Sequence, residues 1–172
     1  MDIDGYVACI CEGSAEQAIM EILLEADALI FEKQKLIDDE IIRCRGAKAF
    51  EERYLRKGYE ESITVIRVLD SKKEKFNLGK AYLGKVKIIN IVTAPEIEIL
   101  TIIKENRYEE FKKTRKKASE FCKSDLSLKK VKNYDFVREY FSDVEDLKMC
   151  INKYARLKKC RDGDYTLSDL LK

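Results

Sequence analysis

The 172-residue chain contains no histidine and no tryptophan, and only one proline and seven glycines. Without histidine there can be no Ser-His-Asp triad, no HExxH zinc helix and no imidazole base, so any chemistry falls to carboxylates, Lys, Tyr and Cys. No apolar run approaches the roughly 18 to 20 residues that span a bilayer, which excludes a membrane helix. A GxxxxGK[ST] phosphate loop is also absent. The six cysteines, Cys9, Cys11, Cys44, Cys122, Cys150 and Cys160, include no CxxC pair. With no leader-like segment either, the expectation is reduced thiols in a cytoplasmic protein.

What is abundant is charge. Charged residues make up 38% of the chain, and the net charge of +2 hides an uneven spread. Acids dominate Glu12 to Glu40, whereas bases dominate Lys112 to Lys132 and Lys153 to Arg161. Solvated helix faces account for many such charges. An acidic centre flanked by a basic half is also what phosphodiester chemistry requires, with metal-binding carboxylates beside phosphate-positioning bases.

The length suits one compact core, here 1–125, with a helical extension over 126–172 packed on it. Gly5 to Met20 sets the pattern. Tyr6 to Cys11 is a continuous apolar run, as in a strand buried on both faces, and Cys9 and Cys11 share one of those faces. Glu12 ends the run, Gly13 and Ser14 turn the chain with Ser14 as N-cap, and apolar residues then fall at helical spacing from Ala15. Glu40 to Arg45, Ser62 to Leu69 and Val86 to Val92 read as further strands. Helices are predicted over Ala47 to Lys57, stopped by Gly58, and over Glu96 to Lys104, opened by Pro95. Beyond that point the pattern is helical: Tyr108 to Lys113, Ala118 to Lys123, Tyr134 to Phe141, Val144 to Leu157 and Leu167 to Leu171, with Ser119, Asp143 and Ser168 as caps. The order implies an α/β fold of three layers around a mainly parallel sheet of about four strands, its C-terminal helices covering one sheet face or forming a lid.

Three strands run into acids: Glu12 after the first, Asp70 after SITVIRVL, and Glu96 with Glu98 after VKIINIV. If the strands are parallel, these carboxylates converge on one sheet edge, an oxygen-ligand site for Mg²⁺ or Mn²⁺. Glu16, four residues after Glu12, either faces the same crevice or complements the helix dipole. Lys72 and Lys73 follow Asp70, where a lysine either stabilises charge on a phosphate or is simply solvated. Arg43 and Arg45 alternate along the second strand. Arg67, in an otherwise apolar strand, needs an acid such as Glu96 or a ligand. Tyr54, Tyr59, Phe76 and Tyr82 are either base-stacking platforms or core.

The strand ending in EGxxE (Glu12, Gly13, Glu16), the later strand ending VIRVLD at Asp70, and the strand leading into PEIE together resemble a small Toprim domain. The likeness covers roughly the first 105 residues and is closest to OLD-like nucleases and related phage-defence proteins. It implies a Toprim/Rossmann-like core and a metal-dependent nuclease acting on DNA or RNA, the effector of an anti-phage defence system. Glu12 would be acid/base or metal ligand, Asp70 the Mg²⁺ ligand, and Glu96 and Glu98 further ligands; Glu16, facing the same crevice, is a further candidate ligand, and Lys72, by its place after Asp70, a candidate catalytic cation. A separate ATPase subunit is the implied partner, and oligomers are compatible with it. One departure stands out. The family's usual pair of aspartates reads Asp70-Ser71-Lys72, with Glu74 the nearest substitute acid. The alternative expectation is a non-catalytic Toprim-like subunit that docks or regulates a larger complex.

Overall fold

The computed structural model describes residues 1, 3–70, 75–94, 96–158 and 165–172. Lys72, Lys73, Glu74, Pro95 and Cys160, all singled out above, lie outside the described residues.

Four strands form one parallel sheet: β1 (Tyr6–Cys11), β2 (Ile42–Arg43), β3 (Ile63–Leu69) and β4 (Val86–Val92), in the order β2-β1-β3-β4. β3 is central and buried along all seven residues, Thr64 and Arg67 included. Seven α-helices accompany the sheet among the described residues: α1 (Ser14–Glu25), α2 (Ala47–Arg53), α3 (Ile99–Lys104), α4 (Tyr108–Lys113), α5 (Ala118–Ser124), α6 (Tyr134–Tyr140) and α7 (Val144–Leu157). None is long and apolar enough to cross a membrane.

The pleat divides the core in two. Val7, Cys9 and Cys11 of β1, with Ile66 and Val68 of β3, face a large cluster containing Leu23 of α1, Ile102 of α3, Phe121 of α5, Phe141 at the end of α6 and Ile151 of α7. The alternate residues Ala8, Ile10, Ile63 and Val65 face a smaller cluster with Phe50, Tyr54, Leu55 and Phe76. Two layers of helix and turn thus enclose the sheet, and each fully buried aliphatic side chain contributes about 1.5 to 3 kcal/mol. Residues after 126 supply Val131, Val137, Leu147 and Leu170 to the larger cluster, so the C-terminal helices cover a sheet face.

Several boundaries differ from the sequence reading for local reasons. Ser14 is the first helical residue of α1, not its cap, and Gly13 takes the extended cap conformation. β2 keeps only two residues of the six read as strand: its one partner among the described residues is β1, which ends at Cys11 opposite Arg43. The helix expected to run to Lys57 tightens after Arg53 into a 3₁₀ turn, and Gly58, at φ +69, ends it in a conformation that favours glycine. α3 begins at Ile99, with Glu98 as its cap and Glu96 in the turn before it. Ser119 lies inside α5, which Lys117 caps, and Thr166 rather than Ser168 caps the last 3₁₀ turn, where it forms a capping box with Asp169. Asp143 caps α7 as expected, accepting from the N–H groups of Glu145 and Asp146.

Candidate active site

The strand order decides where a ligand can enter. From β1 the chain moves to β2 on one side and then returns to place β3 on the other, so a crevice opens at the carboxyl ends of β1 and β3. Cys11 pairs with Val68, which sets Glu12 and Asp70 side by side just past the strands. A pocket of about 370 Å³ lies there, lined by Glu12, Gly13, Ser14, Ala15, Glu16, Arg45, Asp70, Glu98 and Lys132. Four of the sequence-predicted acids, Glu12, Glu16, Asp70 and Glu98, are therefore brought together from the ends of β1 and β3, the start of α1 and the turn after β4.

Each acid is held differently. Arg67 projects from β3 on the face of the smaller cluster, 2% exposed, and donates from its guanidinium to Glu12 Oε1 at 3.2 Å. It also reaches Asn90 Oδ1 at 3.4 Å and lies 4.5 Å from the centre of the Phe76 ring. The acid that partners Arg67 is thus Glu12 rather than Glu96. Glu16 folds back over Gly13, where a Cβ would stand 2.0 Å from its Oε2, so the glycine leaves room for that carboxylate. Burial raises the pKa of Glu16, and the charge of Asp70 raises it further. Asp70 is exposed.

The turn after β4 is tied down from several sides. Thr93 donates its N–H and its hydroxyl to the Leu69 carbonyl at 2.8 and 3.0 Å, and the Tyr154 hydroxyl on α7 donates to the Ala94 carbonyl. Glu96 turns away from the pocket. It accepts from the Ser119 N–H at 2.8 Å and from Lys132 Nζ at 3.1 Å. Burial works to raise its pKa, but these hydrogen bonds outweigh burial and hold the carboxyl below its ordinary value. Glu98 does line the pocket and is only 4% exposed, with Lys132 Nζ 3.9 Å away. Burial, with Glu96 and Glu16 adding repulsion, pushes its pKa up to about 7.

Lys132 and Arg45 complete the lining. Sequence reasoning placed Lys132 only at the end of a basic run, because 36 residues separate it from Glu96 and no local pattern signals their contact. The suggested stacking aromatics are elsewhere. Tyr54 and Phe76 are core, and Tyr59 and Tyr82 line a second cavity of about 550 Å³ at the opposite, amino end of β3 and β4. Gly79 to Lys85 of that region approaches a phosphate-loop pattern, but Val86 stands where a hydroxyl is needed and opens a strand, not a helix.

The donor set can be weighed against a divalent ion. Among the described residues no three acids or thiols stand close enough to form a ready-made metal-binding group. Mg²⁺ does not need one, since it keeps several waters and takes one or two carboxylates plus substrate phosphates. Among the described residues the lining offers carboxylate oxygens and the Ser14 hydroxyl as possible ligands, and its acids repel one another. On that chemistry the residues fit a hard divalent cation.

Comparison with known proteins gave no matching family model, no matching curated protein and no matching solved structure.

Proposed function

We propose that the chain is a Mg²⁺- or Mn²⁺-dependent, Toprim-type phosphodiesterase acting on the backbone of a nucleic acid. The observation that carries this reading is the convergence of Glu12, Glu16, Asp70 and Glu98 on one pocket at the switch point of a parallel sheet. Asp70, exposed at the mouth, and Glu12 or Glu16 beside it would hold the ion. When bound, such an ion supplies a Lewis acid that polarises a phosphoryl oxygen and acidifies water.

The chain's own groups do the rest. Glu12 accepts a proton from the attacking water or shares in holding the ion, and Arg67 beneath it fixes the carboxylate in orientation. Arg45 and Lys132 at the wall offer cationic donors to phosphate oxygens. Among the described residues the lining contains no aromatic ring on which to stack a base. Recognition therefore falls on phosphates, and cleavage is indifferent to sequence. A separate ATPase subunit and an antiviral setting, both suggested by the OLD-like resemblance, belong to the same proposal.

Phosphate recognition also needs a path beyond the pocket. Glu96 anchors both the start of α5 and the turn bearing Lys132, and the exposed lysines Lys117, Lys129 and Lys130 sit on these two segments. Lys116, by contrast, is taken up by Asp125 at 2.6 Å. Replacing Lys117, Lys129 and Lys130 with Gln should weaken binding to any oligonucleotide and flatten the plot of log affinity against log salt by about one per lysine. Fluorescence anisotropy across a salt series measures this. An unchanged slope would remove the backbone path from the proposal.

A further inference from the structure

The acidic pocket already contains a cation that belongs to the chain. Lys132 lines it, with Nζ 3.1 Å from Glu96 Oε1 and 3.9 Å from Glu98 Oε1. The backbone that delivers this lysine is fixed. Val131 is buried beside it, the Asn133 side chain caps α6 by accepting from the Phe136 N–H at 3.0 Å, and Tyr134 donates to Glu21 of α1. Arg138, one turn on, grips Glu25 at 2.6 Å. The Lys132 side chain is nevertheless 54% exposed. Its ammonium, on a flexible four-carbon stem, can therefore leave the carboxylates by changing rotamer while the core stays closed.

We propose that Lys132 is an exchangeable counter-cation: without metal it bridges Glu98 in the pocket wall and Glu96 behind it, and a divalent ion entering the pocket competes with it and releases it. The proposal rests on the reading of the pocket as a metal site. Two cations close together repel, so each weakens the other's hold on the acids, and the coupling is reciprocal by linkage. Metal loading then frees a positive group at the rim where substrate phosphates arrive. A metal-free site keeps that group engaged, so ion and phosphate bind with positive cooperativity.

The test uses Mn²⁺ alone, with the full chain and no nucleic acid, read by electron paramagnetic resonance of free Mn²⁺. Lys132→Met removes the competitor and should tighten Mn²⁺ binding by roughly three- to fivefold, the upper part of the range set by a half-exposed ion pair. Lys35→Met makes the same change in net charge on an exposed 3₁₀ turn near the start of β1, at the end of the sheet away from the pocket, and should stay within about twofold of wild type at physiological salt. Thermal melts establish that the variants fold, and Lys132→Gln serves if the Met variant does not. Wild type that binds Mn²⁺ while both Lys132 variants bind it equally or more weakly overturns the counter-cation and leaves the metal reading standing. Absence of binding in wild type and variants alike overturns both.

Discussion

Glu12→Gln is expected to abolish divalent-ion-dependent cleavage, a loss of about a thousandfold or more, while nucleic-acid affinity stays within about twofold of wild type. The substitution keeps the shape of the side chain and an oxygen that can accept from Arg67, yet it removes the negative charge that takes a proton or holds an ion. Because Arg67 is 2% exposed and sits 3.2 Å from Glu12, the change also touches stability. Keeping the hydrogen bond limits that cost to about 1 to 3 kcal/mol, whereas Glu12→Ala, which breaks a nearly buried pair outright, approaches about 3 to 5 kcal/mol. Initial rates on labelled oligonucleotides, run beside thermal melts, separate the two effects. A folded Glu12→Gln protein that cleaves at the wild-type rate contradicts the mechanism.

The second large effect concerns Glu98 in the metal-free chain. Its folded pKa of about 7 stands above the ordinary 4.5, chiefly because burial penalises the ionised form. Between these two values the folded chain binds more protons than the unfolded chain, so stability must fall as pH rises. The favourable contribution of the neutral carboxyl is complete below about 4.5 and is lost as pH passes through about 7. At most roughly 3 kcal/mol is involved. Glu98→Gln carries no titrating proton and should flatten that stretch of the curve, leaving the variant the more stable chain at pH 8 in the presence of a chelator. Urea melts at a series of pH values decide it. Parallel curves for wild type and variant would mean that Glu98 ionises without penalty.

β1 is legible in sequence because burial on both faces leaves an unbroken apolar run that ends at a charge, and β3 and β4 are legible as β-branched runs interrupted by Arg67 in one and by Lys87 and Asn90 in the other. Tyr6–Cys11 and Val86–Val92 have the limits that their sequence predicts, and the ends of β1 and β3 set Glu12 and Asp70 at the same sheet edge. Parallel order and the switch point do the rest. The short elements were less legible. A two-residue β2 and a 3₁₀ turn over Leu55–Lys57 are set by what packs on them, not by a period in the chain.

The site was only half readable for a related reason. Strand ends predict where a carboxylate starts, not which way it turns. Glu96 and Glu98 are two residues apart, yet one faces Ser119 and the other the pocket, because Glu96 meets a backbone N–H offered by α5. Arg67 announced itself as a lone charge in an apolar run, but its partner, 55 positions away, depended on the register of β1 against β3. Lys132 gave no signal at all, since only tertiary packing brings the turn before α6 to the acids.

The central claim, that the acids of β1 and β3 hold a divalent ion, is tested most directly by a crystal of the chain soaked in Mn²⁺ and measured for anomalous scattering. A peak in the pocket with carboxylate oxygens of Asp70 and of Glu12 or Glu16 at about 2.0 to 2.6 Å is the result predicted, and Asp70→Asn should remove it. A well-ordered pocket with no peak at Mn²⁺ concentrations that saturate the protein's stability, or a peak that survives unchanged in Asp70→Asn, would contradict the claim.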